Sequence, residues 1–454
     1  MDMPEVAIIG AGTMGRYMMR ALAPKARITV YYRNPRDEII RAVRETGARV
    51  AGRYADAVRS ADVVVFCVPT GAVIDVMAQT LPYCKKGAII SGESSRKAPE
   101  AYSYDRHVKE NSVDNPEEEL PGIFIHTLCD PEKSDPTKEI LGIVRHRASD
   151  EAYEKARSLF DLSSHIEEFS SVEDHDITMM NTQRIPSLTF LTIASAFANV
   201  GCFPWRNKAY ASMLDEIKFA SAMRVASQPP HVYKGIQFVT EYEKELELSR
   251  CGRKIVEDAL RIETELYGLI VSNERSAYRD RVMAAREKIF GSDYLEPIIP
   301  HDIMKGLFEN MSNAHEPNSN ISYIPWVVSL AESGRNPFVD LRGATPMFTT
   351  LLCTSDYLFN DENLLEESLA APFDTPKLRR DDLVFHNELL GWSFNILLDS
   401  TSGYDAQHAR MKNVLDRKEN ACMVKEYVGK SVDIVRTSRE CMDIAIKTGK
   451  RKAA

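Results

Sequence analysis

Long apolar runs are missing from this 454-residue chain, and with them the segments of about 20 residues that a membrane-spanning helix needs. Room for a signal peptide is missing as well, because the first strand-like run, Glu5 to Ile9, begins almost at once. An excess of positive charge is also absent. Against 57 Lys and Arg stand 66 Asp and Glu, a formal charge of −9. Nucleic acid and anionic lipid are therefore poor partners, since phosphate binding needs a basic face. The one basic cluster, the tail KTGKRKAA, reads as a solvated end. Eight cysteines are scattered with no CxxC pair, so neither a metal site nor a disulfide framework is expected. Several, such as Cys67 in VVVFCV, sit in apolar runs where a free thiol serves as a small hydrophobe. These absences point to a soluble protein of the reducing cytoplasm.

What is present is an ordinary globular composition, 44% hydrophobic and 27% charged, in a chain long enough for two or three domains. Up to about residue 170, short β-branched runs alternate with helical stretches: EVAIIG, ARITVYY, DVVVFCV, GAIISG, GIFIHT, EILGIVR and HIEEFS. Continuous apolar strands separated by helices predict a parallel sheet covered on both faces. From about Asp174 the texture turns helical, first with LTFLTIASAFANV, apolar almost all round as a buried helix would be. The loop SNAHEPNSN divides this helical part by its Pro, Asn and Ser content. The expected domains are 1–170, 171–311 and 312–454.

The first strand runs into GAGTMG, which sets Gly10, Gly12 and Gly15 in the GxGxxG spacing. Gly10 would make the tight turn, Gly12 would let the backbone approach a pyrophosphate, and Gly15 would allow close helix–strand packing. The helix opening at Thr13 and Met14 would then offer free N–H groups to the phosphates. Placed after a strand and before a helix, the motif predicts a Rossmann-type dinucleotide-binding domain, an α/β domain followed by an all-α region. The second strand ends in ITVYYRNPRDE, with Arg33 where an NAD site usually has an acid. A guanidinium there suits a 2′-phosphate, so NADP is expected, with NAD left open by the neighbouring Asp37 and Glu38. Val68 and Pro69, in CVPTG, should line the same crevice at the carboxyl ends of the strands.

His126 closes the later strand GIFIHT, so its imidazole should face that crevice. A histidine near its ordinary pKa can take a hydroxyl proton while hydride leaves the same carbon. Position alone leaves a structural histidine equally open.

The order and spacing of GAGTMG, GESSRKAPE, HTLCDP, VEDHD, the Gln183 region, FPW, AMRVASQPPHVYKG, PNSNIS and ATPMFTTLLCTSDYLF resemble the prephenate dehydrogenases, the longer fungal type in particular. The resemblance spans nearly the whole chain. It implies oxidative decarboxylation of a cyclohexadienol: hydride passes from the ring carbon bearing the hydroxyl to NAD(P), and the ring carboxylate leaves as carbon dioxide. It implies that His126 is the catalytic histidine on the ring hydroxyl and that Ser95 contacts the same hydroxyl and orients the histidine. A helix N-cap is the plainer reading of Ser95. Arg224 matches the arginine that holds a substrate carboxylate, and His175 a position at the start of the first long helix, read as a cap or packing residue. The family also implies a homodimer formed through the helical domain.

Three departures bear on the substrate. Asp130 stands where the family usually has glycine, Ser187 where a second pocket histidine is expected, and Arg184 where a small residue is common. Pro186 would also disturb a helix interior there. Prephenate, arogenate or a 4-amino-4-deoxyprephenate-like analogue are the substrates these positions leave open. A non-catalytic NADP-binding sensor is the reading from a different class.

Overall fold

The computed structural model describes residues 3–34, 36–129, 131, 139–162, 165–201, 203–207, 212–238, 247–307 and 317–449, without the side chains of 247–251 and 376–379. Two compact units divide at Met179/Met180.

The first unit is built on one sheet of eight strands: β1 Glu5–Ile9, β2 Arg27–Tyr31, β3 Arg49–Val50, β4 Val63–Phe66, β5 Ile89–Gly92, β6 Gly122–Thr127, β7 Ile140–Arg147 and β8 His165–Phe169. Their order is β3-β2-β1-β4-β5-β6-β7-β8. The chain moves outward from β1 to β3, then returns to place β4 on the other side of β1. That reversal makes a crevice at the carboxyl ends of β1 and β4, where ligands of such sheets bind. Residues Val6 to Ile9 and Val63 to Phe66 are at most 1% exposed, which is why these strands read as unbroken apolar runs. β7 pairs antiparallel with β6, and β8 runs parallel to β7. The expected parallel sheet therefore holds for the first six strands. The linking sequence LCDPEKSDPTKE is short and carries two prolines, which suits it poorly to the crossover helix that a parallel neighbour needs.

The second unit is helical. One apolar core runs from Ile185 to Ala445 and takes residues from both sides of the SNAHEPNSN loop. The expected split at 311/312 is therefore replaced by a single helical unit, and the expected boundary at 170 moves to Met179. The helix Ile185–Val200 is buried along most of its length, as its sequence implies. Polar side chains stitch the end of the loop into the core. Asn318 donates to Asp215 Oδ1 at 2.8 Å, and Asn320 Oδ1 accepts from the buried Lys218. Ser319 donates to Asp382 Oδ1 at 2.6 Å. Asp215 and Lys218 lie on the helix Met213–Ala226, and Asp382 on Pro376–Leu397. A loop end fixed to two helices in this way belongs to their core and does not act as a linker.

Among the described residues, no helix is long and apolar enough to cross a membrane.

Candidate active site

At the crevice, the glycines of GAGTMG meet three different steric demands. Gly10 has φ +105°, and a Cβ there would lie 2.4 Å from the carbonyl oxygen of Cys67. Gly10 N–H donates to the carbonyl of Tyr31, and Cys67 N–H donates to that of Ile9, so the ends of β1, β2 and β4 converge on this turn. A Cβ on Gly15 would lie 2.0 Å from the Gly10 carbonyl oxygen, so only glycine lets the helix Thr13–Leu22 lie this close to the strand end. A Cβ on Gly12 would meet nothing within 4 Å. Its smallness serves no internal contact, and it leaves space in front of the helix N-terminus. That helix starts without a side-chain cap or an acid in its first turn, so the amides around Thr13 and Met14 present an open positive end. Val68 packs against Gly10, with Cγ1 3.0 Å from where a Cβ would stand, and Pro69 opens the short turn Thr70–Ala72. Arg33 is exposed just beyond β2. An open glycine, an uncapped helix end and a guanidinium at the second strand fit a dinucleotide bearing a 2′-phosphate.

Further along the sheet, β5 leads into the GESSRKAPE segment, which holds the end of β6 in place. Lys97 is fully buried, and its Nζ donates to Gly92 O at 2.9 Å, Ile125 O at 2.7 Å and Glu100 Oε2 at 2.8 Å. Glu93 accepts from Thr127 N–H and Oγ–H, both at 2.9 Å. These bonds flank His126 on either side along β6. Burial pushes the Glu93 and Glu100 carboxyls up, and the Lys97 ammonium pulls both back.

His126 is 5% exposed. Its Nδ1 lies 3.1 Å from Nε2 of His175, whose Nδ1 lies 2.7 Å from Asp176 Oδ1. Asp176 in turn accepts from the backbone N–H groups of Lys97, at 2.7 Å, and Ala98, at 2.9 Å. These are the first amides of the helix Ala98–Glu110. Phe169 packs edge-on against His175, with ring centres 5.0 Å apart. Gly142 makes room for that ring, since a Cβ there would come within 2.9 Å of it. Burial holds both imidazoles well below their ordinary pKa, and the Lys97 charge adds to this. Burial pushes the Asp176 carboxyl up against the pull of its two backbone donors.

Sequence reasoning misses this chain of side chains. It points to Ser95 as the residue that orients His126, or as the cap of the following helix. In the structure the bond to His126 Nδ1 comes from His175, and the cap position is Lys97, whose amide is satisfied by Asp176. Ser95 itself is half-buried beside this segment. His175, expected as a cap or packing residue of the helical domain, lies on the short helix Val172–Met179 of the first unit.

The other candidates lie in the helical unit. Arg224 is buried at 7% exposure on Met213–Ala226, unlike the surface charge an arginine on a helix usually is. Ser187 is engaged internally: its hydroxyl donates to Arg184 O at 3.0 Å and accepts from Gln237 Nε2 at 2.8 Å. Arg184 is buried, with Nε donating to Ile236 O at 2.9 Å. Pro186 breaks no helix. It stands in the first turn of Ile185–Val200, after the π-helical turn Met180–Arg184, where a missing N–H costs nothing. Asp130 lies outside the described residues. Among the described residues, no group of three or more His, Cys, Asp or Glu side chains is gathered as a metal site would be.

A Rossmann-type sheet with an open glycine turn, joined to an all-helical unit, defines the dinucleotide-binding α/β class to which many dehydrogenases belong. Residues 5–115 match the NAD binding domain of 6-phosphogluconate dehydrogenase. Residues 185–432, more than half of the chain, match a 6-phosphogluconate dehydrogenase C-terminal domain family, and the chain belongs to that family. It is 27% identical over 397 residues to a probable NADP(+) prephenate dehydrogenase of Schizosaccharomyces pombe, covering 86% of this chain and 88% of that one. It is 26% identical over 346 residues to the NADP(+) prephenate dehydrogenase of Saccharomyces cerevisiae, covering 74% and 72%. Among solved structures, prephenate dehydrogenase from A. aeolicus in complex with hydroxyphenyl propionate and NAD+ is similar with a TM-score of 0.45. It is 18% identical over 62% of this chain and 95% of that one.

Proposed function

We propose that the protein is an NADP-dependent dehydrogenase that oxidatively decarboxylates prephenate to 4-hydroxyphenylpyruvate, a step toward tyrosine. The observation that carries the reading is the buried histidine at the end of β6, backed by His175 and Asp176, in the sheet that also carries the open glycine turn. Support also comes from the names of the two fungal relatives.

Gly10, Gly12, Gly15 and the amides at Thr13 and Met14 would hold the cofactor pyrophosphate, Arg33 its 2′-phosphate, and Val68 and Pro69 would line its crevice. The bound nicotinamide supplies the two-electron oxidant that accepts hydride. The protein's own work is to place the ring and manage one proton. Arg224 anchors a substrate carboxylate through its two-pronged guanidinium. His126 takes the proton of the ring hydroxyl as that carbon becomes a carbonyl, and Ser95 offers a second hydrogen bond to the same oxygen. Loss of the ring carboxylate as carbon dioxide then makes the ring aromatic, which supplies most of the driving force.

The test is NADPH formation by purified protein with prephenate and with arogenate, under NADP and under NAD. Turnover of prephenate with NADP is expected. Turnover of arogenate alone would move the substrate assignment to the amino analogue. Tight NADP binding with no turnover of either would make the protein a sensor. The same reading includes a cytoplasmic homodimer formed through the helical unit, to be tested by light scattering of the eluting protein; a monomeric mass would remove it.

A further inference from the structure

We propose that His126, His175 and Asp176 form a proton relay that delivers the proton taken from the substrate hydroxyl to the Asp176 carboxylate, so that neither imidazole becomes charged. The proposal rests on the reading above, in which a hydroxyl is oxidised at His126.

The geometry sets the direction of transfer. Asp176 is surrounded by N–H donors: Lys97 N at 2.7 Å, Ala98 N at 2.9 Å and His175 Nδ1 at 2.7 Å. A carboxyl among donors rests as a carboxylate, since it has nowhere to point a proton of its own. His175 therefore carries its proton on Nδ1 and turns a lone pair on Nε2 toward His126. That lone pair faces His126 Nδ1 at 3.1 Å, so the proton of His126 must sit on Nδ1. The remaining nitrogen, His126 Nε2, is then a bare acceptor, the form a general base needs.

Each bond made in the transfer balances one broken. The substrate O–H breaks as His126 Nε2–H forms, and His126 Nδ1–H passes to His175 Nε2. His175 Nδ1–H then passes to Asp176 Oδ1. One proton enters and one carboxylate is neutralised, while both rings end neutral in their other tautomer. The hydride and its electron pair go to the nicotinamide cofactor and do not pass along this chain.

The surroundings explain why the proton would not stay on the first ring. His126 and His175 are 5% and 0% exposed, and the Lys97 ammonium is fixed nearby by three acceptors. A second positive charge there is unfavourable, and burial lowers the proton affinity of both rings. Burial has the opposite effect on Asp176, whose carboxyl is shifted toward the protonated form. Apart from Lys97, the charged neighbours acting on this chain are Arg96, which favours the carboxylate, and Asp174, which favours a charged His175.

A purely orienting His175 would need only to accept from His126 Nδ1, and a glutamine carbonyl can do that. The test therefore compares wild type with His175→Gln in single-turnover NADPH formation from prephenate, in mixtures of light and heavy water. The relay predicts a wild-type rate that curves with deuterium fraction because more than one proton moves. It predicts a His175→Gln rate lower on the order of 100-fold and linear with deuterium fraction. A linear wild-type response, or a His175→Gln enzyme of unchanged rate and curvature, would overturn it. Nitrogen NMR of the wild-type imidazoles needs no turnover and no variant. Both rings should rest protonated on Nδ1, and an Nε2-protonated ring at either position would sink the relay. If no cyclohexadienol is turned over at all, the reaction assigned above fails, and the NMR still decides the resting tautomers on which the relay stands.

Discussion

Replacing Asp382 by asparagine should stabilise the protein at pH 8 and leave it nearly unchanged at pH 5. Asp382 is 4% exposed. One carboxyl oxygen accepts from Ser319, and the other is buried without a partner. Burial, with Asp381 and Glu263 adding negative charge and Lys218 only partly compensating, pushes this carboxyl up to about 7. An unfolded aspartate titrates near 3.9. The folded pKa is thus the higher one, so the folded state holds its proton over the range between the two values. The ionised carboxylate therefore costs stability as pH rises from about 4, at ~1.4 kcal/mol per pH unit, and the cost levels off above about 7. The full penalty is about 4 kcal/mol at pH 8, against roughly 1.5 kcal/mol at pH 5. Asparagine removes that penalty and leaves one buried amide N–H unsatisfied, at about 1–2 kcal/mol at every pH. The difference in unfolding free energy between variant and wild type should change by about 3 kcal/mol between pH 5 and pH 8, in favour of the variant at the higher pH. Urea unfolding of both proteins across that range, followed by a signal from the helical unit, measures it. A difference that does not vary with pH, or a variant less stable at pH 8, would refute the burial argument.

The remaining predictions concern the site. His126→Asn keeps a donor to His175 but has no base, so kcat for prephenate should fall on the order of 100-fold or more while the Kd for NADP stays within about twofold. An equal loss of both in steady-state kinetics and calorimetry would remove its catalytic role. The glycines should separate by readout. Gly12→Ala, whose new methyl group meets nothing in the protein, should leave Tm unchanged and weaken NADP binding. Gly15→Ala, driven against the Gly10 carbonyl, should lose about 1–3 kcal/mol or more in unfolding experiments. The reverse pattern would contradict the cofactor placement. Arg33→Asp should raise the KM for NADP on the order of 10- to 100-fold, the loss of one or two charge-assisted bonds, without raising that for NAD. An unchanged NADP/NAD ratio would take Arg33 out of the site.

What can be read from the sequence is what depends on neighbours in the chain. The GxGxxG turn is legible because each glycine answers a local demand. Gly10 needs a positive φ, Gly15 sits against the carbonyl five residues back, and Gly12 faces open space. The strand runs are legible because burial on both faces leaves an unbroken apolar record. The charged and polar residues behind His126 leave no such record. His175 stands 49 positions from His126, and Asp176 is 79 from the amide it caps. They meet because β7 and β8 run back beside β6 and deliver the helix Val172–Met179 to the first unit. In one dimension DHD looks like the opening of a helix, where acids and polar side chains are usual, and that favours the plainer reading. Asp176 is a helix cap after all, but for Ala98–Glu110 instead of its own helix. That exchange ties the caps to the chemistry: the carboxylate that closes one helix also fixes which nitrogen of His175 carries the proton, and through it which nitrogen of His126 is free to act. A substitution at Asp176 would therefore be felt at the His126 nitrogen that meets substrate.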